Sequence, residues 1–186
     1  MLNILEHFLT VATTSKIMRT LSTIMLALLL GISAAAQQQL KVGSQAPDFN
    51  GESINGQEVS LSQLHGKVVV LTFWSTRCEI CHSEIPKLNR IRERYKGKDV
   101  VFLALTMENN TRVEPYLKKT PFNFDIVTNS LGIVLKYADM DKSGNINLGF
   151  PSYFVINQDG AITLKADGWD KTENLEAQIT RLLAAE

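Results

Sequence analysis

Residues 67–74 read KVVVLTFW, an almost unbroken β-branched and aromatic run. Such a run is the pattern of a strand buried on both faces. Cys78-Glu79-Ile80-Cys81 follows just after it. Over residues 79–96, Ile80, Ile85, Leu88, Ile91 and Tyr95 alternate with charged residues, which is helical spacing, and Pro86 is expected to kink that helix. A buried strand that hands over to an amphipathic helix needs a covering layer on each side of its sheet. Residues 100–106 (VVFLALT) repeat the strand pattern, so strand, helix and strand form a βαβ crossover with a parallel pair.

The flanking chain completes a mixed-sheet α/β sandwich. Asn55-Gly56 is a hairpin turn signal within residues 49–66, and residues 60–64 follow as a short turn of helix. A weaker helix is expected over 112–119, a short strand over 124–127 and a helix over 131–137. Strands at 152–157 and 161–166 join through Gln158-Asp159-Gly160, a turn of hairpin type. Thr172 is placed to cap a last helix with Leu175, Ile179, Leu182 and Leu183 on one face. Without repeats, low-complexity tracts or internal linkers, residues 37–186 read as one domain.

The amino terminus has a separate character. Residues 21–36 (LSTIMLALLLGISAAA) are an uncharged apolar run after Met18-Arg19, ending in three alanines. They read as a secretory signal peptide cleaved after Ala36, with an uncleaved membrane anchor as the alternative. The first 17 residues read as an upstream extension from a misplaced start. No cysteine beside the cut could carry a lipid. The whole chain carries 19 basic and 19 acidic side chains without a basic run, which leaves no electrostatic basis for binding nucleic acid.

The chain has two cysteines, too few for a disulfide-stapled scaffold or an all-cysteine zinc site. At a helix N-terminus, unpaired N–H groups and the helix dipole stabilise a thiolate, lowering a cysteine pKa from about 8.5 toward neutrality. Cys78 is therefore the expected nucleophile. One helical turn on, Cys81 is the expected resolving thiol, attacking the mixed disulfide at Cys78. No bound cofactor is needed. Buried inert thiols and half of a metal site are the competing readings, although His82, next to Cys81, is poorly placed to close a tetrahedral site with both sulfurs.

Residues 73–86 (FWSTRCEICHSEIP) together with Gly149-Phe150-Pro151 and the strand after it resemble exported, thioredoxin-like thiol-disulfide oxidoreductases of the TlpA/ResA type, within the redoxin/AhpC-TSA-like family. The likeness spans about residues 43–185. It implies a thioredoxin-like fold with an N-terminal hairpin, and makes residues 112–127 the helix–strand insertion that separates this type from plain thioredoxin. It implies that Pro151 is a cis-proline setting the backbone of Phe150 beside the active-site sulfur, and that Phe150, Pro151, Trp74 and Arg77 meet the substrate, with a place for Trp74 and Phe73 in the core or the active-site wall as the blander reading. Thr72 occupies the position of the buried aspartate of ordinary thioredoxins, so the carboxylate serving Cys81 falls to Glu84, whose bland alternative is a solvated helix charge. Arg77 replaces the usual Trp and favours a Cys78 thiolate, while Glu79 opposes it. Phe150 is bulkier than the residue usual before the proline, which narrows the range of substrates. The resemblance leans toward a periplasmic reductase of protein disulfides, supplied with electrons by a membrane partner.

Two other activities of the same fold are weighed against this. A copper chaperone needs a third ligand, and the only histidines are His7, His65 and His82; His65 sits in an expected loop and is given no role. A thiol peroxidase needs a proline where Leu71 stands. An adhesion module with an ordinary disulfide is a third reading. Asp139-Met140-Asp141-Lys142-Ser143-Gly144 mimics the opening of a calcium loop, but Phe150 takes the place of its twelfth-position glutamate, so a polar turn is expected there.

Overall fold

The structure, a computed structural model, describes residues 40–141 and 143–184. The signal or anchor segment expected over residues 1–36 lies outside the described residues, as does the proposed cleavage point. Among the described residues no helix is long and apolar enough to cross a membrane.

A short antiparallel hairpin, β1 (Asn50–Glu52) and β2 (Glu58–Ser60), leads through a 3-10 turn at Leu61–Leu64 into β3 (Val68–Phe73). Helix α1 (Glu79–Arg94), β4 (Val100–Leu105), α2 (Asn110–Leu117), β5 (Asp125–Val127) and α3 (Leu131–Tyr137) follow. Then come a two-stranded ribbon of β6 (Asp139–Met140) and β7 (Ile146–Asn147), the hairpin β8 (Ser152–Ile156) and β9 (Ile162–Asp167), and α4 (Thr172–Leu183). The main sheet has the order β5-β4-β3-β8-β9. Strands β3, β4 and β5 are parallel, while β8 and β9 run antiparallel. This is the thioredoxin-like arrangement.

Strand β3 is central because each of its residues is buried. Side chains alternate across a sheet, so Val68 and Val70 face one core, shared with Cys81, Ile85, Leu88 and Ile91 of α1 and Leu175 and Ile179 of α4. Val69, Leu71 and Phe73 face the other, against Ile133, Val134 and Tyr137 of α3. Helix α1 runs through Pro86 without ending.

Three local expectations change. Helix α2 starts at Asn110 because the Asn109 side chain accepts the Arg112 N–H at 3.1 Å and caps it. Thr172 is not a cap; it is the first helical residue of α4 and is buried, while Lys171 takes the cap position without a side-chain bond. The calcium-like stretch is more than a turn. It forms the β6–β7 ribbon, closed by Asp141, whose carboxylate accepts N–H bonds from Ser143 at 2.8 Å and Asn145 at 2.9 Å. With a further bond from Asn145 Nδ2 at 2.8 Å, which contributes most, they hold the Asp141 carboxyl below the usual aspartate range.

Candidate active site

Cys78 is the N-cap of α1, with extended backbone, and its Sγ accepts the Cys81 N–H at 3.1 Å. The two cysteines are joined as a disulfide, with Cα atoms 5.2 Å apart. Their exposure differs. Cys81 is 2% exposed beneath the helix, whereas Cys78 is half-buried at its tip. An approaching molecule meets the Cys78 sulfur first.

The loop before Cys78 is held from the neighbouring strand. The β3–β4 register sets Phe73 beside Leu105, so the segments leaving the carboxyl ends of both strands lie side by side. Glu108 accepts the Thr76 N–H at 2.7 Å and the Thr76 hydroxyl at 2.8 Å. Arg112 pairs with the same carboxylate at 3.0 Å, and Arg77 reaches it at 4.0 Å with a side chain 71% exposed. On the other side, His82 Nε2 lies 2.9 Å from the Thr76 carbonyl. A carbonyl only accepts, so Nε2 donates there. The His82 ring rests on Tyr116 of α2, with centroids 5.0 Å apart. Helix α2 thus braces the cysteine loop, through Tyr116 on His82 and through Arg112 on Glu108.

Of the two readings of Trp74, the structure favours the core over a substrate-facing ring. The side chain is fully buried, edge-on to Phe122 and tilted against Tyr116, because the residue ending a doubly covered strand remains inside the core.

The core under α1 also holds buried polar side chains. Thr72 and Tyr153 are cross-strand partners, and the alternation turns Thr72 toward the α1 core, where Tyr153 also packs. Glu84 is 0% exposed; its Oε1 accepts from Lys87 Nζ at 3.1 Å. Thr72 Oγ1, Glu84 Oε2 and Tyr153 OH are buried without a protein hydrogen-bond partner. Burial pushes the Tyr153 phenol pKa up, and the nearby Glu84 carboxylate pushes it further the same way.

The Phe150–Pro151 peptide is cis. Pro151 is buried and Phe150 half-buried. The Gly168 N–H donates to the Pro151 carbonyl at 2.8 Å, and Ser152 Oγ bonds Asp167, so the turn after β9 is fastened to the proline. Gly168 has φ +83°, and Asp170 has φ +59° without being glycine. This turn carries Trp169, 56% exposed, back over α1, where Lys87 Nζ lies 5.2 Å from its ring centroid and 3.3 Å from Asp170.

The structure therefore brings Cys78, Cys81 and Glu84 to one end of one helix and fastens the Pro151 turn to it through Lys87. Glu108, Lys87, Tyr116 and Tyr153 are site neighbours for which the sequence reading had no role. Glu108 carried a usable signal, because it follows the carboxyl end of the strand parallel to β3, where open α/β sheets gather functional groups. Among the described residues, no group of three or more His, Cys, Asp or Glu side chains is arranged to hold a metal ion.

Residues 42–165 match the AhpC/TSA family. Thiol-disulfide oxidoreductase ResA of Bacillus subtilis (strain 168) is 31% identical over 135 residues, 72% of this chain and 72% of that protein. ResA of Bacillus thuringiensis subsp. konkukian (strain 97-27) is 29% identical over 147 residues, 78% of this chain and 81% of that protein. Among solved structures, one described as the thiol:disulfide interchange protein DsbE of Chlorobium tepidum superposes with a TM-score of 0.63 at 28% identity, covering 77% of this chain and 99% of that one. The thioredoxin domain of a thiol-disulfide oxidoreductase from Bacteroides vulgatus, at 22% identity and a TM-score of 0.64 over 77% of this chain and 99% of that one, shares the fold.

Proposed function

Because the chain belongs to the AhpC/TSA family and is a thioredoxin-like thiol-disulfide oxidoreductase of the TlpA/ResA type, we propose that it reduces disulfides of exported proteins through Cys78 and Cys81. The observation that carries the reading is the unequal burial of two bonded sulfurs at a helix N-terminus.

In the reduced protein the Cys78 thiolate attacks a substrate disulfide. A mixed disulfide forms at Cys78, and one substrate sulfur leaves as a thiolate and takes a proton from solvent. Cys81 gives its proton to the Glu84 carboxylate and attacks Cys78 Sγ. The Cys78–Cys81 bond closes, and the second substrate thiolate leaves with the proton that Glu84 held. Two electrons have passed to the substrate, and a dithiol donor returns them. The backbone of Phe150, at the cis peptide, is the strand-like edge against which the substrate chain lies, with Arg77 at the rim.

The local charges support that direction. A strong oxidant needs an unusually stabilised thiolate in its reduced form. Here Glu79 sits in the first turn beside Cys78, and the Arg77 charge leans toward Glu108. Both weaken that stabilisation, so the potential is expected nearer about −270 mV than about −120 mV. The apolar segment at residues 21–36 supports export, by cleavage or as an anchor that keeps the domain at the membrane beside its electron donor.

Trapping tests the assignment of roles. Cys81→Ser should accumulate a mixed disulfide with a peptide-disulfide probe at Cys78, seen as an added mass, and Cys78→Ser should accumulate none. The opposite pattern would reverse the two roles.

A further inference from the structure

We propose that Lys87 is a positioning residue, clamped between Glu84 and the Trp169–Asp170 turn, that keeps Glu84 a carboxylate ready to take the Cys81 proton. This inference rests on the reading of Glu84 given above.

Glu84 has no solvent around it to stabilise a negative charge, and an unpaired buried carboxylate would take a proton instead. The groups facing it are few. From its own helix comes Lys87, one turn away at 3.1 Å, with Cys81 three residues earlier on that helix; from β8 comes the neutral Tyr153 phenol, whose titration Glu84 perturbs. Lys87 is the single cation bonded to Glu84 among the described residues. Its ammonium is not free to swing away, because Asp170 at 3.3 Å and the face of Trp169 hold it from the far side. Glu84 foremost, then Asp170, raise the pKa of Lys87 above its ordinary 10.5, so it stays charged throughout the range in which thiols exchange. The turn that holds Lys87 is the one whose Gly168 is bonded to Pro151. The clamp therefore joins the rim that a substrate chain would cover to the buried proton acceptor.

The test is single-turnover oxidation of the reduced full chain by a saturating peptide disulfide, followed by quenched alkylation from about pH 5 to 9, with each variant's thermal unfolding recorded alongside. Under saturation, closure of Cys81 onto Cys78 limits the rate. Removing the cation in Lys87→Met should move the acid limb of the profile upward by about one pH unit, so that the rate falls by up to about tenfold below that limb and recovers at high pH. Lys87→Arg should retain the native limb. In a Glu84→Gln background, Lys87→Met should add nothing. A Lys87→Met profile superimposing on the native one, or a Lys87→Arg profile shifted as far as Lys87→Met, overturns the proposal. If Lys87→Met does not fold, the same comparison is made between Lys87→Gln and Lys87→Arg. Failure of the underlying reading looks different: Glu84→Gln alone would then leave the native acid limb in place.

Discussion

Single side chains around the disulfide divide into those that hold the loop and those buried in the core under α1. Glu108 belongs to the first group, anchoring Thr76 by two hydrogen bonds while pairing with Arg112. Charge-assisted bonds of this kind are the stronger ones, so Glu108→Ala should cost about 2 kcal/mol in chemical denaturation. A cost within error of zero would mean that the loop holds itself. Tyr153 belongs to the second group. Its buried hydroxyl has no protein partner, so Tyr153→Phe should leave stability unchanged or raise it by up to about 1 kcal/mol. Destabilisation beyond about 2 kcal/mol in the same assay would expose a hydrogen bond that this account lacks.

Among the elements, α1 and α2 do most to build the site, and they were unequally legible. The start of α1 could be read from residues 78–95 because a buried strand, a paired cysteine spacing and helical periodicity coincide there. Glu84 and Pro151 were found by resemblance, since one buried glutamate or one cis-proline leaves no periodic trace. Helix α2 was placed two residues late, its beginning being set by the Asn109 cap rather than by apolar spacing. Lys87 was invisible because its partners Trp169 and Asp170 are distant in sequence, and the two readings of Trp74 could not be told apart because its burial depends on Tyr116 and Phe122, both more than forty residues on. Asn109→Ala should cost about 1 kcal/mol of stability, as cap removals do, while an unchanged unfolding midpoint would deny the cap its role. The Lys87 clamp ties α1 to the turn before α4, and its pH dependence has a definite sign. A lysine whose pKa is raised on folding stabilises the fold fully below its ordinary 10.5 and loses that contribution as the pH rises through the higher folded value. Thermal unfolding should therefore show native protein and Lys87→Met converging at strongly alkaline pH; a gap that widens there would contradict the pairing.

For the molecule as a whole, a sheet covered on both faces makes the disulfide end a fixed platform rather than a mobile loop. Val70 and Leu105 are fully buried, one in each core, so either one changed to Ala should lower stability by about 2–4 kcal/mol without moving the cysteines' potential. Redox state and folding are linked by a thermodynamic cycle, about 1.4 kcal/mol for each 30 mV of a two-electron couple. A reducing potential therefore requires the oxidised chain to be the more stable form. The most direct measurement is a redox titration of the Cys78–Cys81 couple against glutathione and dithiothreitol buffers, with thiols counted by alkylation. A single two-electron transition near about −270 mV is the predicted result. A transition near about −120 mV would make the protein an oxidant, and the absence of any two-electron transition would contradict thiol-disulfide exchange at this site altogether.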